Sequence, residues 1–170
     1  MPKFPYKGCS WAVGTTSFRT VDFNVRIERL LALLDEFWAL RENKYESWDS
    51  NNQLQREFYF FMQKRGFLVG EAPRPDKDAR QKTSGLTDIG LIDNERRLTD
   101  AGKALLQIAK SGEFKSDNLF LIPRDSFVYL KQLLKTTNDV NGNAVRPFVV
   151  IAYALLRLGQ LSNEPQKQGV

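Results

Sequence analysis

Large apolar residues recur three and four apart near the start of the chain, at Ile27, Leu30, Leu31, Leu34 and Trp38, with Arg26, Glu28, Arg29 and Asp35 between them. That period predicts an amphipathic helix capped by Asp22 and ending near Asn43. Ser50 and Gln53 have the spacing of a capping box, and Leu54, Phe58, Phe61 and Met62 form the stripe of a second helix closed by Gly66. The periodicity then stops. EAPRPDKDARQKTS, residues 71–84, has two prolines, four basic side chains and no large apolar residue, so it is expected to be a surface loop.

Alternation replaces helical spacing at LTDIGLIDNERRL, residues 86–98. Leu86, Ile89 and Leu91 or Ile92 predict a short strand, Asp93-Asn94-Glu95 a turn, and Arg96-Arg97-Leu98 the return strand. Thr99 or Asp100 then caps a helix carrying Ala101, Leu105 and Ile108 and closed by Gly112. Two further helices follow. Asp125 caps one with Phe127, Leu130 and Leu134 on its apolar face, and Pro147 opens another with Phe148, Ile151, Leu155 and Leu158 at core spacing before Gly159.

The order of elements describes a mainly α chain with a small β-hairpin. Two helices, a hairpin and a further helix form the outline of a winged-helix-like domain, a helix-turn-helix variant, over residues 1–112. Residues 113–162 form a helical extension packed on it, and 163–170 a disordered tail.

Composition narrows the chemistry. In 170 residues, 42% are hydrophobic and 26% charged, which suits one sizeable core. The longest apolar run, Phe148 to Leu156, is much shorter than the roughly 20 residues needed to cross a bilayer, and the N-terminal lysines precede no apolar stretch, so no membrane partner and a cytoplasmic location are expected. The chain has no histidine and a single cysteine, Cys9, which excludes a Ser-His-Asp triad, a Cys-His pair and a Cys/His zinc site. Gly85, Gly90 and Gly102 lack the lysine and hydroxyl of a phosphate-binding loop.

A net charge of +5 favours polyanions. Arg74, Lys77, Arg80 and Lys82 cluster before the hairpin, with Arg96 and Arg97 in it, so the expected partner is double-stranded DNA. An arginine fork can hold guanine O6 and N7 together, which makes Arg74 and Arg80 the candidate base readers and Lys77 and Lys82 the candidate phosphate contacts. Arg19, beside Thr15, Thr16 and Ser17, is a further phosphate candidate. Interspersed Glu71, Asp76, Asp78 and Glu95 fit a plain solvated surface as well. Trp11, Trp38, Trp48 and Phe58 to Phe61 could stack on unpaired bases, but their helical spacing favours core packing.

Six segments, SWAVGTTSFR, QKRGFL, GEAPRPDKDARQKTSGLTDIGLID, RRLTDAGKALL, FLIPRDSFVYLKQLLK and RPFVVIAYALLRLGQLS, resemble the N-terminal recognition region of AlwI-type restriction endonucleases, relatives of the MlyI, PleI and BstNBI enzymes and nickases. The similarity runs from about Trp11 to Ser162. It implies a type II, shifted-cleavage enzyme whose winged-helix-like recognition domains bind a short asymmetric duplex site. A separate magnesium-dependent PD-(D/E)XK nuclease domain would then cut nearby. The motif match places Arg19, Arg74, Lys77, Arg80, Lys82 and Thr83 in the recognition region. On this resemblance the chain itself is expected to hold no catalytic residue, metal or cofactor and to be a monomer. The strings nearest to a nuclease motif, Pro75-Asp76 beside Asp78 and Glu42-Asn43-Lys44, lack strand periodicity. Two other readings remain: a stand-alone winged-helix transcription regulator that dimerises through its last two helices, and a protein-interaction module with a basic face.

Overall fold

A computed structural model describes residues 22–42, 45–115, 122–140 and 142–163. Arg19, Cys9, Trp11, the hydroxyls at 15–17 and residues 164–170 of the expected tail lie outside the described residues. The chain is mainly helical: α1 (Phe23–Ala39), α2 (Asn52–Lys64), α3 (Pro75–Asp88), α4 (Asp100–Ser111), α5 (Arg124–Lys135) and α6 (Pro147–Asn163), with strands β1 (Asn138–Val140) and β2 (Asn143–Val145).

Helices α1 and α2 follow the apolar pattern. Ile27, Leu30, Leu31, Leu34 and Trp38 are buried, and so are Leu54, Phe58 and Met62. The caps differ from expectation: Asp22 sits at φ 60 with no capping hydrogen bond from its side chain, and Asn51 rather than Ser50 caps α2, accepting from the Leu54 N–H. Phe37 lies edge-on to Phe58 with ring centroids 5.0 Å apart, so an aromatic seam joins the two helices.

The segment expected to be a loop is helix α3. Pro75 stands in its first turn, where a missing N–H costs nothing, and Asp76 and Asp78 lie where the helix dipole favours carboxylates. Its buried contacts are Ala79, Thr83 and Leu86, mostly small side chains at helical spacing. Helix α3 packs closely on α2, and residues 65–74 join them by a longer path than the three- or four-residue turn of a tight helix-turn-helix.

The expected strand at 86–92 is the end of that helix. Leu91 N–H donates to Leu86 O and Gly90 N–H to Thr87 O, both at 2.9 Å, with Gly90 at φ 72, which is a Schellman stop. Strand pairing shrinks to one antiparallel bridge, Ile92 with Leu98. Between them Arg96 N–H donates to Asp93 O and Asp93 N–H to Arg97 O, and Arg96 takes the left-handed conformation at φ 62. Thr99 caps α4 as expected, accepting from the Gly102 N–H, and Gly112 closes that helix at φ 68. Gly102 allows the closest approach in this region, since a Cβ there would stand 2.1 Å from the Leu91 carbonyl oxygen.

The last two helices start near the expected residues but face differently. Pro123, not Asp125, is the N-cap of α5, and Asp125 is buried in the first turn. Tyr129 turns into the common core with Val128 and Leu133 against it, while Leu130 and Leu134 of the expected core stripe are exposed. Pro147 does open α6, yet Ile151, Leu155 and Leu158 are also exposed. The β1–β2 hairpin between these helices has Gly142 at φ 79 in its connection, and the sequence there reads Asn-Gly, a strong hairpin signal missed in the periodicity. None of the described helices is long and apolar enough to cross a membrane.

Candidate nucleic-acid interface

With Ala79, Thr83 and Leu86 inward, the opposite side of α3 carries Lys77, Gln81 and Ser84, one helical turn apart. Arg74, immediately before the helix, extends this stripe; its side chain is 65% exposed and reaches Asp76 at 3.3 Å. Asp76 is buried, so only the arginine end of this pair is open to solvent. Lys82 flanks the stripe, 4.0 Å from Asp78. Asp88 is exposed at the other end of the helix, and Asp76 and Asp78 offset much of the positive charge of the first turns, so the exposed cations of this side are Arg74 and Lys77.

Three of the basic candidates do structural work instead. Arg80 donates to Gln55 Oε1 at 3.0 Å and reaches Asn52 Oδ1 and Asp76 Oδ2, each at 3.4 Å. The buried Gln55 in turn donates to Trp48 O at 2.9 Å, so Arg80 braces α3 against α2. Burial pushes the Asp76 carboxyl pKa up, but the Arg74 charge and hydrogen bond, the Lys77 N–H and the Arg80 charge outweigh it, and the group titrates below its ordinary range. Its carboxylate is therefore ionised where Arg74 and Arg80 meet it, and it anchors this brace.

Arg96 points inward from the hairpin tip. Its Nε donates to Thr83 Oγ1 and its Nη1 to Thr87 Oγ1, both at 2.9 Å, and its guanidinium lies 5.7 Å from the centre of the Trp48 ring. Burial lowers its pKa, opposed by Asp88, Asp93, Glu95 and Asp49, and arginine remains charged throughout. Thr83 is fully buried, with its hydroxyl donating to Ala79 O, so it presents nothing to a ligand. Arg97 lies over the Trp38 ring at 4.3 Å and donates to Glu46 O. Glu95 accepts from the Trp48 N–H and Ser47 Oγ, which holds the tip against residues 47–48.

The structure thus brings Arg74, Lys77 and Lys82 to one helix surface and turns Arg80, Thr83, Arg96 and Arg97 into the fold. Charge counting missed Gln81 and Ser84, which are neutral; helical spacing from Lys77 would have found them had the segment been read as a helix. Trp38, Trp48, Phe58 and Tyr59 are buried, which removes them as base-stacking platforms. Among the described residues, no group of three or more His, Cys, Asp or Glu side chains could hold a metal ion. Of the second nuclease-like string, Asn43 and Lys44 lie outside the described residues. No family model, curated protein or solved structure matches the chain.

Proposed function

We propose that the chain recognises double-stranded DNA by laying α3 in the major groove. Arg74 and Lys77 would hold the phosphates, and Gln81 and Ser84 would face the base edges. On this reading α1, α2 and α3 form the three-helix unit of a winged-helix-like domain, and residues 91–98 form a short wing that supports α3 more than it reaches for DNA. The observation that carries the proposal is the polar stripe Lys77-Gln81-Ser84 on a helix whose other side is buried. Gln81 has the donor and acceptor pair that matches adenine N7 and N6, which assigns sequence preference to an uncharged residue.

The resemblance to AlwI-type enzymes extends the proposal. The chain would be the recognition part of a type II restriction endonuclease, with the magnesium-dependent nuclease chemistry supplied outside these residues. The stand-alone regulator is favoured by a specific observation too, the exposed apolar faces of α5 and α6.

Selection of bound duplexes from a random pool, followed by titration at several salt concentrations, tests the common core of both readings. The expected result is an enriched motif containing an A·T pair, with affinity falling steeply with salt. Gln81→Ala should cost roughly 1–3 kcal/mol on that motif and relax discrimination at one base pair. The proposal fails if no duplex is retained at about 50 mM salt, where phosphate contacts are strongest. Loss of binding uniform over all sequences would reassign Gln81 to a backbone contact.

A further inference from the structure

We infer that Glu28, Asp125 and the Tyr129 hydroxyl form a binding site for a hard divalent cation between α1 and α5. Asn24 and Glu28 lie one turn apart on α1, and Asp125 and Tyr129 one turn apart on α5, so each helix brings a carboxylate and a neutral polar group to one side. The two sides meet. Asn24 Nδ2 donates to Asp125 Oδ2 at 3.4 Å, and the Phe23 and Tyr129 rings have centroids 5.7 Å apart. Asp125 and Tyr129 are buried, at 7% and 6% exposure, while Glu28 keeps part of its surface in solvent, which gives an ion its way in.

Two observations point to a ligand. Glu28 Oε1 and the Tyr129 hydroxyl are buried and have no hydrogen-bond partner among the described residues. The basic side chains nearest to them in sequence are engaged elsewhere: Arg26 and Arg29 lie over the Phe67 ring, Arg124 reaches Glu113 at 3.4 Å, and Lys131 lies over Phe127. The charges that act on the pair are therefore those of carboxylates. Burial and then Asp125 raise the Glu28 carboxyl, and burial, Glu28 and Asp125 push the Tyr129 hydroxyl well up. Buried charge in proteins is paired or coordinates a metal. Donors that are all oxygen, two of them anionic, select an ion of the magnesium or calcium class over zinc, which prefers nitrogen and sulfur. Water would complete its shell on the Glu28 side. Two carboxylates and a phenol make a smaller centre than three acidic or imidazole ligands, so the expected Kd is about 0.1–1 mM. This departs from the metal-free chain expected on the resemblance, and it does not depend on DNA binding.

Thermal unfolding of the full chain at pH 7, first in chelator and then in about 10 mM magnesium or calcium chloride, tests the inference, with sodium chloride of equal ionic strength as the control. Either ion should raise the midpoint by at least about 3 °C. Glu28→Gln and, separately, Asp125→Asn should abolish the rise, and Tyr129→Phe, which keeps the ring in the core, should reduce it. Asp35→Asn, on an exposed carboxylate of α1, should leave it intact. In chelator Glu28→Gln should melt above the wild type, because it removes an uncompensated carboxylate, and in saturating cation below it. That crossing separates an ion ligand from a glutamate that is merely packed. A response to one ion alone supports the site and gives the size of ion it takes. The inference is overturned by a midpoint that neither ion moves, by a rise that sodium chloride reproduces, or by one that survives in both carboxylate variants.

Discussion

Arg96→Ala separates a structural arginine from a DNA contact in one experiment. The guanidinium donates to Thr83 Oγ1, Thr87 Oγ1 and Asn94 O at 2.9, 2.9 and 3.2 Å, and it sits over the Trp48 ring. Hydrogen bonds from a charged donor stabilise by roughly 1.5–3 kcal/mol each when fully buried, and less at a half-buried site such as this. The cation–π contact adds about 0.5–1 kcal/mol, and release of the guanidinium to water offsets part of the loss. A net destabilisation of about 2–3 kcal/mol follows, which in a chain of this length lowers the thermal midpoint by roughly 5–10 °C.

A paired variant tests the account from the backbone side. Residue 96 sits at φ 62, where a non-glycine residue is strained by roughly 1–2 kcal/mol. Arg96→Gly removes the same contacts and relieves that strain, so it should be about 1 kcal/mol more stable than Arg96→Ala. Urea unfolding followed by circular dichroism, with a common m-value, measures both. The reasoning is refuted if Arg96→Ala unfolds like the wild type while duplex affinity drops and the salt slope shrinks by about one. That outcome would put the guanidinium on a phosphate and not on Thr83.

Three further outcomes follow from the same geometry. Lys77→Ala should weaken binding about equally on all duplexes and reduce the salt slope by about one, with urea stability unchanged; site-specific loss in a salt titration would contradict it. Gly102→Ala should destabilise by about 2–4 kcal/mol despite alanine's better helix propensity, because its Cβ would meet the Leu91 carbonyl oxygen at 2.1 Å; an unchanged urea midpoint would show that α4 can shift freely. Burial and the neighbouring Asp125 charge raise the Glu28 carboxyl above its ordinary value of 4.5, and its buried Oε1 has no hydrogen-bond partner among the described residues. A group raised in the folded state has its stabilising effect below its unfolded pKa and loses it as pH rises through the folded value. Glu28→Gln should therefore raise the urea midpoint at pH 7 and leave it unchanged at pH 4 or below; equal effects at both would refute the linkage.

How much of this was legible in the sequence depended on what each element uses for packing. Helices α1 and α2 bury large residues at Ile27, Leu31, Leu34, Leu54, Phe58 and Met62, and a stripe of that kind is visible at any composition. Helix α3 packs with Ala79 and Thr83 and turns Asp76 and Arg80 inward as a brace, so residues 71–84 carried the composition of a loop while having the caps of a helix. Pro75 reads as a breaker or as a helix start depending only on whether a helix follows. Leu86, Leu91 and Ile92 are all buried because a Schellman turn folds the chain back on itself, which alternation imitates.

The candidate site failed to show through for a related reason. A cationic side chain advertises charge but not direction, and direction is set by acceptors far along the chain: Gln55 and Asp76 for Arg80, Thr83 and Thr87 for Arg96, Glu46 O for Arg97. Each acceptor converts an apparent DNA contact into a brace, and together they hold α3 with its Lys77, Gln81 and Ser84 side outward. The arginines nearest the helix thus orient the proposed reading surface instead of forming it. A helix that inserts in a groove needs a fixed roll about its own axis, since a turn of about 100° replaces each side chain with its neighbour in sequence. Holding that roll with half-buried arginine forks lets the stripe beyond Lys77 be neutral, at Gln81 and Ser84, which suits contact with base edges better than a row of charges does.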